Sequence, residues 1–156
     1  MTNATLLPTA THGFTLIELL ITVVIISLLA MIAVPSYNQS IGTARRVDAQ
    51  AELSNFAAAM ERHFTETGSY TGAAGTSGSP VDTGSPWIFA KQTPLDSNSK
   101  FYNLTIVTAN AATFTLRATP INAQLGDGYL EITSVGVQRW DKNNDGDTND
   151  AGENRW

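Results

Sequence analysis

The sequence predicts an α+β fold in which one long N-terminal helix, apolar in its first half, packs on a C-terminal antiparallel sheet of about four strands. Three observations carry the prediction. From Phe14 to Val34 the chain is an apolar run of 21 residues interrupted only by Thr15, Glu18, Thr22 and Ser27. As a helix it would span about 30 Å, the thickness of a bilayer core. Beyond it, Ala49, Leu53, Phe56, Met60 and Phe64 recur at spacings of 4, 3, 4 and 4, which places them on one helix face. After residue 100 the period changes to two, the pattern of an antiparallel sheet with one buried face.

Residues 1–13 read as a short polar leader, and 14–34 as the transmembrane half of the helix. A secretory signal peptide is the competing reading of this region. Such peptides carry a basic n-region and a shorter apolar stretch, whereas Met1 to Gly13 holds no Lys or Arg. The nearest basic residues, Arg45 and Arg46, follow the run, so loop charge alone favours the orientation opposite to an exported domain. Pro35 should kink the helix where the apolar run ends. Residues 35–67 continue it as an amphipathic half, and Gly68 is the expected stop.

Residues 68–100 read as a loop rich in Gly, Ser, Thr and Pro, with Trp87, Ile88 and Phe89 tucked onto a core. Residues 101–140 supply the strands. Tyr102, Leu104 and Ile106 alternate with polar neighbours, as do Phe114, Leu116 and Ala118, then Leu130 and Ile132, and a short VQRW strand follows. Helix stripe and sheet face match, so helix on sheet is the economical architecture. Residues 141–156 form an acidic tail without a core pattern.

The formal net charge is −5 and there is no cysteine. An acidic chain gains little from counterion release, so direct nucleic-acid binding is not expected. Without cysteine there is no disulfide, thiolate nucleophile or Cys-based zinc site. No Ser/His/Asp set, phosphate loop or paired acids stand in a recognisable frame, so the chain does not read as an enzyme. His63 reads as a packing residue, and Asn103-Leu104-Thr105 is a chance-level glycosylation triplet.

Gly13-Phe14-Thr15-Leu16-Ile17-Glu18 resembles the class III signal of type IV pilins, with Gly before the cut, Phe after it and Glu fifth in the mature chain. Pro35 falls where that family has its helix-kinking proline, and VPSYNQSIGTARRVDAQ resembles the stem of PilE-like minor pilins. The resemblance implies a pilin fold and a bacterial inner-membrane precursor. A prepilin peptidase would cut it between Gly13 and Phe14 and N-methylate Phe14. Assembly machinery would then move it into an extracellular fibre serving adhesion, twitching motility or DNA uptake, with other pilin subunits as partners through the stem. On this reading Glu18 has a purpose. A carboxylate at the centre of a membrane helix costs roughly 2.5–3.5 kcal/mol. In the fibre it would pair with the new Phe14 amine of a neighbouring subunit, strongly so in a low dielectric. The alternative is a protonated Glu18 bonded to its own helix.

In the tail, Asp141, Asn143, Asp145, Gly146, Asp147 and Asn149 fit the opening of an EF-hand-type calcium loop, while the acid expected at the twelfth position arrives one late as Glu153. Pilins usually close this region with a disulfide, which this chain cannot form. No cofactor is required, and two readings of the tail stand side by side, a calcium clip and a solvated acidic segment. Two further alternatives remain for the whole chain: a type II secretion pseudopilin, and a membrane-anchored calcium-binding domain that never polymerises.

Overall fold

The computed structural model describes residues 13–156 of the chain; of the leader expected over 1–13, all but Gly13 lies outside the described residues. Helix α1 spans Leu16–Thr67 with Pro35 inside it. It ends where Gly68 takes φ +77 and its N–H donates to Phe64 O at 2.7 Å, a left-handed glycine cap.

The chain divides into two compact units, one up to Gln39 and one from Ser40 to Trp156. In the first, every described residue is exposed. One window of 18 residues has mean hydropathy 2.8, long and apolar enough to cross a membrane. The hydroxyls of Thr22 and Ser27 donate to the carbonyls of Glu18 and Val23, one turn back, so these polar groups need no outside partner.

The second unit holds the sheet. Strands β1 (Ala74–Thr76) and β2 (Ser79–Val81) form a small hairpin. Strands β3 (Gln92–Thr93), β4 (Tyr102–Ala109), β5 (Phe114–Pro120), β6 (Leu130–Thr133) and β7 (Gln138–Trp140) form an antiparallel sheet in chain order. Register pairs Leu104 with Ala118 and Leu116 with Ile132, so the alternating residues stack on one face, and a bulge lies between Ile106 and Thr108. That face packs on Ala49, Leu53, Phe56 and Met60 of the helix, all buried, with Phe64 partly buried beside them.

Two segments differ from the expectation. The stretch 68–100, read as a loop, contributes β1, β2 and β3; these are two or three residues long, too short for any periodicity to register. There Phe89 stacks on Phe56 with centroids 5.1 Å apart, whereas Trp87 stays 41% exposed and donates Nε1–H to Gly72 O at 2.7 Å. The tail is not without core contacts: Asp141 and Glu153 are buried, and Trp156 packs against the core cluster.

Candidate functional site

The first candidate site is the start of α1. Thr15 N–H and Thr15 Oγ1 both donate to Glu18 Oε2, at 2.9 and 2.8 Å, and Glu18 N–H donates back to Thr15 Oγ1 at 3.3 Å. This is a reciprocal capping box, with Thr15 as the cap and Glu18 three residues on. Among the described residues no donor reaches Glu18 Oε1. The box fixes the carboxylate at the N-terminal end of its own helix, where it meets freed amides and the positive end of the dipole. Thr15 is thus a helix cap as well as an interruption of the apolar run, and T-x-x-E before such a run is the readable signal for it. Phe14 beside it is 90% exposed. A Cβ on Gly13 would meet nothing within 4 Å, so the described fold makes no demand for glycine there. Pro35 lies within the helix and is exposed.

The second is a polar junction under the sheet. Arg46 on α1 forms an ion pair with Asp127, whose Oδ2 accepts from Arg46 Nε at 2.9 Å and from Tyr102 Oη at 2.6 Å. The Arg46 guanidinium lies 3.9 Å over the Trp140 ring, and Trp140 Nε1–H donates to Asp127 O at 2.7 Å. Gln124 Nε2–H reaches Gly42 O on the helix at 3.1 Å. Burial works to raise the Asp127 pKa, but the hydrogen bonds from Arg46, Tyr102 and Gln124 outweigh it and hold the carboxyl below its usual range. Burial, then the bond to Asp127, pushes the Tyr102 hydroxyl well above its ordinary value. Neither Asp127 nor Tyr102 has a periodic or motif signal for this pairing, which spans 81 positions from Arg46 to Asp127.

The third is an open groove of about 280 Å³ where the end of α1 meets the following loop, lined by Ala59, Arg62, His63, Glu66, Trp87 and Ile88. His63 is 8% exposed and donates Nε2–H to Thr71 O at 2.8 Å, a packing role.

The fourth is the C-terminal loop. Asp141 Oδ1 and Oδ2 accept from the amides of Asp145 and Gly146, Asn143 Oδ1 from Asp145, Asp145 Oδ1 from Asp147, and Asp147 Oδ1 from Asn149. Glu153 folds back onto the start of the same loop. Among the described residues no group of three or more His, Asp or Glu side chains is placed to hold a metal ion together. Of the oxygens expected from the sequence as ligands, those of Asp141, Asn143, Asp145, Asp147 and Glu153 thus accept from backbone amides, and Asn149 joins the ladder through its N–H.

With this geometry in hand, two family models match the chain. Residues 9–34 match the prokaryotic N-terminal methylation motif, and residues 35–128 match the family described as type IV minor pilin ComP, DNA uptake sequence receptor. No curated protein sequence matches it. Among solved structures, the non-core minor pilin PilV of Neisseria meningitidis aligns at TM-score 0.47 and 16% identity, over 75% of this chain and 98% of that one. The second family model covers more than half of the chain and the first covers its apolar start, so the chain belongs to the type IV minor pilins, structural subunits of the type IV pilus.

Proposed function

We propose that the chain is made as a membrane-held precursor, cut between Gly13 and Phe14, N-methylated on Phe14, and drawn into a fibre where Glu18 receives the Phe14 amine of a neighbouring subunit. One observation carries the proposal. From Gly13 to Gln39 every residue is exposed, most are apolar, and Glu18 is the only charged one. Such a surface asks for lipid first and for other stems afterwards, and the single carboxylate supplies register, because a misplaced neighbour leaves two charges unpaired. The freedom around Gly13 supports an outside reader of that glycine, as a peptidase would be. On this reading the chain is not an enzyme: its chemistry is performed on it. Mass spectrometry of sheared fibres should find this chain beginning at a methylated Phe14. Glu18→Ala should leave membrane insertion and cleavage intact and lower the share of the chain in fibres by roughly tenfold or more. Unchanged incorporation would remove the pairing from the proposal.

A second reading takes up the DNA uptake named in the family description, against the expectation from net charge. Net charge is a property of the whole molecule, whereas binding is local. The groove at the end of α1 offers Arg62 beside an exposed Trp87 face, a cation for phosphate and a ring for stacking. Anisotropy titrations with duplex DNA over a salt series would test it. Arg62→Ala should weaken binding several-fold and reduce the salt slope by about one. Absence of salt-dependent binding by the unmodified chain would return the reading to the expectation from charge.

A further inference from the structure

The C-terminal loop holds two carboxylates that neither assembly nor DNA contact uses. Asp141 is 1% exposed and Glu153 2%. Buried anions are stable only with donors or counter-charges around them. Among the described residues the ion pairs are Arg46 with Asp127 and Arg117 with Glu131, so no Lys or Arg serves these two. Backbone amides do. Asp141 accepts from Asp145 N at 3.0 Å and Gly146 N at 3.1 Å. Glu153 Oε1 accepts from Lys142 N at 2.9 Å and Asn143 N at 3.3 Å, and Oε2 from Asp150 N at 3.3 Å. Positive φ at Asn144 and Gly146 lets the short loop turn its N–H groups inward. Bonds from amides to carboxylates are charge-assisted and among the stronger kinds.

Glu153 fastens the segment a second time. Its carbonyl accepts from Trp140 N at 2.9 Å, which ties it to the last residue of β7. Trp156, three positions on, then lies against the core. We infer that Glu153 is the latch of a C-terminal strap, residues 141–156, closed by two buried carboxylates on five backbone amides. The strap seats Trp156 on the core and does without cysteine what a covalent cross-link would do, independently of redox conditions and of a bound metal.

Hydrogen exchange on the full-length chain in detergent micelles with EDTA tests this. The amides of Lys142, Asn143 and Asp150 should be protected. Glu153→Ala should speed their exchange roughly tenfold or more, the effect of an amide losing a charged acceptor, and should accelerate carboxypeptidase trimming from Trp156. Amides of β4 and β5 should stay protected. Glu153→Gln, which keeps one carbonyl oxygen, should retain protection at Lys142 and Asn143 and lose it at Asp150. Protection that survives Glu153→Ala, or that falls uniformly in Glu153→Gln, overturns the latch. Protection that appears only when calcium is added also overturns it, because a metal would then be closing the loop.

Discussion

Asp127 joins three elements at one carboxylate and one carbonyl: Arg46 from α1, Tyr102 from β4 and the indole of Trp140 from β7. Its folded pKa lies below the ordinary carboxylate value, so it binds its proton less readily folded than unfolded. The resulting stability is present above the unfolded pKa of about 3.9 and is lost as pH falls through the lower folded value. Asp127→Asn keeps the shape and removes the charge. We expect it to destabilise the chain at neutral pH by about 1.5–3 kcal/mol and to flatten the loss of stability below about pH 4. Thermal melts across pH check both, and an unchanged acid limb would take the effect away from Asp127. Its neighbour Gly128 sits at φ +74, and a Cβ there would collide with the carbonyl of Asp141, so no larger residue fits. Neither pairing nor collision can be read from local sequence, because each joins residues distant along the chain.

At the scale of elements, legibility follows periodicity. The stripe Ala49, Leu53, Phe56, Met60 and the alternating Tyr102, Leu104, Ile106, Phe114, Leu116, Ala118, Leu130 and Ile132 are all buried, because long helices and strands repeat their burial at fixed spacing. Strand β3 has two residues, Gln92 and Thr93, and shows no repeat. It is held by pairing with Asn103 and Tyr102 and by Thr93 Oγ1–H donating to Asp48 on the helix at 2.7 Å. The tail presents a subtler case. Alternate oxygens with a glycine at the sixth position suit a calcium ion, yet the same spacing lets each Asx side chain cap the amide two residues on. One local pattern therefore serves two chemistries.

At the scale of the molecule, the family assignment and the α+β architecture agree, and the apolar start of α1 and the sheet each contribute to a pilus subunit in its own way. The family is legible where it is written in a contiguous stretch, since Gly13 to Glu18 lie inside the segment that matches the methylation motif. The junction at Asp127 and the strap are not, because both arise only once distant residues meet. Net charge is a sum over 156 residues and carries no information on the local surroundings of Arg62 and Trp87, where the proposed DNA contact would lie and where the salt series decides.

Trp156 also decides where the protein can be labelled. Trp156 packs half-buried against the core, so the residues around it belong to the folded unit. An epitope or fluorescent fusion appended after Trp156 should lower the melting temperature and reduce recovery in fibres, mimicking an assembly defect. The turn joining β1 to β2 is the better address, since residues 76–80 are exposed and nothing lies within 4 Å of a Cβ at Gly78. A short tag inserted there should leave both readouts at the level of the untagged chain, and imaging of this subunit in living pili should begin from that position.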